Sequence, residues 1–171
     1  MKKIKLMALL LGTSFLNVNA QTTLPASWGF STTTLPTGWS EVNVNTVTSP
    51  YYTGSGNPAP AYKFDATPGG DMLTIFFNSS PGTVSYDLTG NSFSGGTFLV
   101  QESSNGSTWT TVHTFTNPPA GAYTPFSDNL LSTSRYVRFN YSIKSSGNIG
   151  LDNVNITAAA ASPAQEINVK Q

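Results

Sequence analysis

The chain has 171 residues, enough for one domain with a real core, and 38% of them are apolar, with ten Phe, seven Tyr and three Trp. Charged residues make up only 9% and the formal charge is zero, so no basic stripe points to nucleic acid and the polar surface must come from Thr, Ser and Asn. Cysteine is absent, which excludes disulfides, thiolate metal sites and cysteine nucleophiles.

The chain opens with the basic run Met1-Lys2-Lys3-Ile4-Lys5, continues with an apolar stretch over 6–16, and reaches small residues at Val18 and Ala20. That order reads as a signal peptide over residues 1–20, cleaved before Gln21, and so as export to the cell surface or the medium. Without Lys2, Lys3 and Lys5, five basic and eight acidic side chains remain, about three net negative charges. No second long apolar run follows, so no membrane span is expected.

Residues 21–60 are polar and irregular, with Leu35-Pro36-Thr37-Gly38-Trp39 and a Gly/Pro-rich stretch over 54–60. A short strand is expected over 41–47, where Val42 and Val44 alternate with Asn. From Ala61 the strand signals become regular. Residues 61–65 form a short strand. Residues 72–77 are apolar apart from Thr74 and are expected to be covered on both faces. Over 82–88, Val84, Tyr86 and Leu88 alternate inward with Ser85 and Asp87 outward.

Residues 97–115, TFLVQESSNGSTWTTVHTF, read as a hairpin around Asn105-Gly106, because the favoured two-residue turn needs φ > 0 at both central positions. A loop follows over 117–123. Over 135–143, Val137, Phe139, Tyr141 and Ile143 share one face, and Tyr136, Arg138 and Asn140 the other. Residues 148–157 change phase, with Ile149 and Leu151 odd and Val154 and Ile156 even, which places a β-bulge near Asp152-Asn153.

Strands at this spacing, with turn residues between them and almost no helix, indicate an all-β chain folded as an antiparallel β-sandwich of jelly-roll type over 21–157. Residues 158–171 read as a linker and the start of a truncated following domain.

The stretch VSYDLTGNSFSGGTFLVQESSNGSTWTTV, followed by SRYVRFNYSIKSSGNIGLDNVNIT, resembles the jelly-roll modules of large secreted bacterial surface proteins. LPTGWS is similar to the start of choice-of-anchor and carbohydrate-binding-like modules, and PAQEINVKQ to the first strand of a Hydin-like domain. The resemblance implies a non-catalytic module beside other domains of a larger secreted protein. Modules of this kind often place an acidic residue after the first-strand Phe, where it can share calcium with the Asp of the last strand. Here Phe30 is followed by Ser31.

Among residues that can carry chemistry, Asp152 is the leading metal candidate, since a bulge can aim its carboxylate and nearby carbonyls at a calcium ion. The alternative is that Asp152 caps the bulge through backbone hydrogen bonds. Asp65 and Asp71 flank the 66–70 turn, where they hold an ion or stabilise the turn. Tyr51, Tyr52 and Tyr123 lie in loop-like segments and are the candidates for exposed aromatic contact with a sugar. Trp109 and Trp39 are expected to pack rather than bind.

His113 is the only histidine and has no Gly-x-Ser-x-Gly nucleophile elbow to work with, so no catalytic residue is assigned. Arg135 and Arg138 face outward, as a solvated face or as a hold on an acidic sugar or partner carboxylate. Two functions follow from these readings. One is a non-catalytic module that binds polysaccharide or cell-surface material, with structural calcium as a possible cofactor. The other is a spacer or adhesin segment packed against neighbouring domains.

Overall fold

The computed structural model describes residues 20–44 and 48–160. The signal-peptide reading over 1–19, the end of the 41–47 strand and the tail beyond residue 160 lie outside the described residues. Eleven strands are described: β1 (Ala26–Trp28), β2 (Trp39–Val42), β3 (Tyr51–Tyr52), β4 (Ala61–Phe64), β5 (Met72–Phe76), β6 (Pro81–Ser94), β7 (Thr97–Ser103), β8 (Thr110–Phe115), β9 (Thr124–Asn129), β10 (Tyr136–Ile143) and β11 (Ser146–Ala158). No helix among the described residues is long and apolar enough to cross a membrane.

The strands form two antiparallel sheets. Sheet one runs β3-β4-β11-β6-β9, with β1 also paired to β11, and sheet two runs β2-β5-β10-β7-β8. They pack face to face over a core rich in aromatic rings, including Trp28, Phe30, Tyr62, Phe64, Phe98 and Tyr141. Many rings meet edge to face, as Phe64 and Phe98 do at 5.0 Å and 75°, which suits the ring quadrupoles.

The bulge expected in β11 is present. The β11–β6 register shifts between Asp152 and Asn155, and Asn153 takes a φ of 48°. At the same point the other neighbour of β11 changes, from β4 at residues 149–151 to β1 at residues 154–156. One extra residue therefore keeps Ile149, Leu151, Val154 and Ile156 all in the core.

Several expectations are corrected. Residues 21–60 hold three strands rather than irregular chain, because each short segment completes a sheet edge or flanks β11. The strand expected over 41–47 is β2, which begins earlier, at Trp39. β5 is covered on its inner face only, by Leu73 and Ile75, while Met72, Thr74 and Phe76 are half-exposed. β9 was not anticipated from its sequence, TPFSDN. Ile143 is 56% exposed, since the β10–β7 register shifts after Tyr141 and takes it out of the inward series.

The hairpin connection is longer than the Asn-Gly pair suggests, with only Gly106 at positive φ (73°). Ser103 Oγ accepts the N–H groups of Asn105 and Gly106, and Asn105 Oδ1 accepts those of Ser107 and Thr108. Two side-chain-capped turns in series thus replace one tight turn.

Candidate functional site

Loops 53–60 and 117–123 fold over the outer face of sheet one and leave a cleft between them. One compartment of about 400 Å³ is lined by residues 54–57 and 121–123. A second of about 180 Å³ is lined by Tyr52, Ser55, Thr89, Gly90, Asn91 and Gly121. Ser55 and Gly121 line both, so the compartments adjoin.

Tyr52 and Tyr123 stand at this cleft and are each half-buried. Their hydroxyls are only loosely held. Ser55 Oγ donates to Tyr123 Oη at 3.4 Å, and Asn91 Nδ2 to Tyr52 Oη at 3.5 Å. Both lie at the outer limit of a useful hydrogen bond, so either phenol can turn to a better partner. Lys63 Nζ lies 5.8 Å from the centre of the Tyr52 ring. Burial raises the Tyr123 pKa, with the Asp152 and Tyr52 charges adding to it and the Ser55 bond opposing it.

Tyr123 lies across Gly150 of β11. A Cβ built there would run into the Tyr123 hydroxyl and come within 3.2 Å of Thr89 Cγ2. A bare glycine in the sheet is what lets the ring settle on the floor of the cleft.

Tyr51 does not join them. It is 8% exposed and sits in the core, edge-on to Tyr62 at 5.6 Å. In β3 it pairs with Tyr62 of β4, so its side chain follows Tyr62 inward while Tyr52 turns outward. Burial, with the nearby Glu41 charge, pushes its pKa up to about 12.

Beneath the cleft, Asp87 and Asp152 are directly opposed across β6 and β11. Asp152 is fully buried and accepts the backbone N–H groups of Asn57 and Asn153. Asp87 Oδ2 accepts from Asn57 Nδ2 at 3.0 Å and from Asn153 Nδ2 at 2.9 Å. Two asparagines thus tie the carboxylates to the loop and to the bulge. Among the described residues no group of three His, Cys, Asp or Glu side chains converges. Both Asp152 oxygens and Asp87 Oδ2 accept N–H groups from the loop and the bulge, the hydrogen bonds of a capped bulge.

Asp65 and Asp71 likewise serve their turn. Asp71 accepts the N–H groups of Val44, Asp65 and Ala66 at 2.7 to 2.9 Å. Asp65 Oδ2 pairs with Lys63 at 2.8 Å and accepts from Thr48 at 2.6 Å.

Trp39 is in the core, as expected, but Trp109 is not. Trp109 follows the capped turn on the outer face of sheet two, edge-on to Tyr136 at 6.3 Å and covering Arg138 at 4.1 Å. Arg138 faces outward and is half-buried, with one side of its guanidinium against this ring. Arg135 instead holds the carbonyls of Ser132 and Ser134.

His113 does have a carboxylate partner, Asp128 Oδ1, at 3.0 Å. Its ring is stacked on Phe115 at 4.1 Å, and the other Asp128 oxygen accepts from Tyr86 Oη at 2.8 Å. The pair therefore sits against packed rings, with Phe126 also edge-on to His113 at 5.6 Å.

The fold and site so described are those of an all-β, two-sheet sandwich module. No protein-family model and no curated protein matches the sequence. Solved structures share the fold. The K1 cleaved adhesin domain of Lys-gingipain from Porphyromonas gingivalis is 16% identical, over 79% of this chain and 98% of that one, with a TM-score of 0.61. The K2 domain gives 17% identity over 80% and 99%, with a TM-score of 0.62. A mutant of the family 29 carbohydrate binding module CBM29-2 gives 14% identity over 77% and 93%, with a TM-score of 0.50.

Proposed function

We propose that this chain is a secreted, non-catalytic module that binds carbohydrate, in polysaccharide or on a cell surface, through the cleft on sheet one. The observation that carries this reading is the convergence of Tyr52 and Tyr123, far apart in sequence, on adjoining compartments lined by hydroxyls, amides and glycine. Sugar rings need that combination, with an aromatic face for their C–H surface and polar groups that turn to meet their hydroxyls. The two phenols, held at 3.4 and 3.5 Å, gain hydrogen bonds when a ligand replaces those partners. Sharing the fold of adhesin domains and of a carbohydrate binding module supports the same reading.

The test is a glycan-array and insoluble-polysaccharide screen of the folded protein, with calcium and with a chelator. Tyr52→Ala and Tyr123→Ala should each weaken binding by about tenfold or more, the loss of one aromatic contact plus one hydrogen bond. Binding unchanged in both variants, or none from the folded protein, overturns the proposal and favours a spacer packed on neighbouring domains.

A further inference from the structure

The outer face of sheet two carries a second arrangement. Strand register sets Ser40, Thr74, Arg138, Gln101 and Thr111 directly opposite one another across all five strands. Four strand spacings make this row about 19 Å long. Every member is polar, and Arg138 at its centre is the one charge.

Walls flank the row. On one side the cross-strand partners Phe76 and Tyr136 stack at 4.3 Å and 3°, and Trp109 meets Tyr136 beyond them. On the other side the next row brings Val42, Met72 and Leu99 together with Asn140. At the β2 end the trough deepens into a groove of about 290 Å³, whose lining includes Ser40, Thr74, Phe76 and Tyr136.

Arg138 is held in place and, among the described residues, has no anionic partner. Its Nε donates to Gln101 Oε1 at 2.8 Å, and its Nη1 reaches Met72 Sδ at 3.7 Å. Gln101 is itself fixed, accepting from Asn140 and donating to Thr111 at 3.2 Å. A guanidinium has five N–H donors, and among the described residues the ion pairs are Lys63–Asp65 and His113–Asp128, neither involving Arg138. Burial lowers its pKa, as partial removal of a cation from water does.

We infer that this row is a second saccharide trough, selective for an acidic glycan whose carboxylate pairs with the free N–H groups of Arg138. Ring hydroxyls meet Ser40, Thr74 and Thr111, and the sugar edge lies along the Phe76–Tyr136–Trp109 wall. An anionic peptide is the poorer occupant. The inner strands of the sheet are paired on both sides, so an extended chain laid across them finds no backbone partners.

The test is calorimetric titration of the whole protein with an oligogalacturonate, with its methyl ester, and with a neutral oligosaccharide. The acid should bind at least about tenfold more tightly than the ester, as a charge-assisted pair requires. Arg138→Gln should reduce the acid to the level of the ester while Tm and binding in the Tyr52 cleft stay unchanged. If Arg138→Gln does not fold, Arg138→Lys keeps the charge and should retain the preference for acid over ester with weaker binding. Trp109→Ala should weaken acid and ester alike.

Equal binding of acid and ester overturns the inference, as does no binding of the acid. So does loss of acid binding in Tyr52→Ala, which would assign that binding to the cleft. Equal competition by an acidic peptide would make the face a protein-docking surface. The two sites lie on opposite sheets, so failure of one leaves the other standing.

Discussion

His113 Nδ1 lies 3.0 Å from Asp128 Oδ1, and this contact joins the edge strands β8 and β9, and through them the two sheets. Asp128 also accepts from the buried Tyr86 hydroxyl at 2.8 Å. Asp128→Ala leaves that hydroxyl without an acceptor, at a cost of about 1–3 kcal/mol, whereas Tyr86→Phe costs about 1 kcal/mol. In the Asp128→Ala background, Tyr86→Phe should then be neutral or stabilising, because the orphaned group is gone. Urea unfolding of the four proteins measures the coupling, and simple additivity would deny the shared bond.

Much of this architecture was legible where a strand is long enough for its alternation to be read. Ile149, Leu151, Val154 and Ile156 announce both β11 and its bulge, because only an inserted residue can keep all four in the core. Tyr51 and Tyr52 were ambiguous, since two residues carry no period and only the pairing of Tyr51 with Tyr62 decides which ring goes inward. Trp109 misled for another reason. A tryptophan is usually a core residue, and the Arg138 beneath it belongs to a strand β10 that meets β7, not β8, so the contact depends on strand order. The trough on sheet two was out of reach for the same cause, its five central residues coming from five separate strands.

Buried tyrosines set the alkaline limit of stability. Burial raises Tyr51 and Tyr141 to about 12, and Tyr62 and Tyr86 still higher. Below the ordinary phenol value of 10.0 the folded and unfolded chains hold these protons alike, and the contribution to stability is complete. As pH rises past it, the unfolded chain releases protons that the folded chain retains, so stability falls through the folded values. Each such tyrosine adds about 1.4 kcal/mol per pH unit to that decline. Tm should drop steeply above pH 10, and Tyr51→Phe should make the drop shallower by one proton. Phenolate absorbance of these four rings appearing near pH 10 with the fold intact would contradict this.

Asp152 governs the acid side. Burial raises its pKa, the backbone N–H groups of Asn57 and Asn153 pull it down, and Asp87 opposite lifts it again. The net shift is upward, so the folded chain holds this proton more tightly than the unfolded chain. Its contribution to stability is fully present below the ordinary value of 3.8 and is lost as pH rises through the raised one. Asp152→Asn cannot titrate, so wild type should lose stability relative to that variant as pH climbs from about 4 toward neutrality. Unfolding free energies of both proteins across that range give the difference directly. If the N–H groups of Asn57 and Asn153 are all that Asp152 holds, the same curves with calcium and with a chelator should superimpose. A calcium-dependent gain that vanishes in Asp152→Asn would instead place a metal there.

Gly150 offers a way to disturb the cleft without touching either tyrosine. It is buried in β11 beneath Tyr123, and any Cβ there displaces the Tyr123 hydroxyl. The displaced group is the far end of a side chain held by one 3.4 Å bond to Ser55, so the ring can swing out at little cost. Alanine also restricts the unfolded chain more than glycine does, which offsets part of any strain. Gly150→Ala should therefore change stability by no more than about 1 kcal/mol. The proposed carbohydrate binding is different, because it uses the Tyr123 side chain where it lies over Gly150, beside the compartment that Tyr52 lines. Gly150→Ala should weaken binding nearly as much as Tyr123→Ala does, and combining the two should add little, since both remove the same contact. If Gly150→Ala binds normally while Tyr123→Ala does not, the ring acts from another position and the geometry of the cleft has been misjudged.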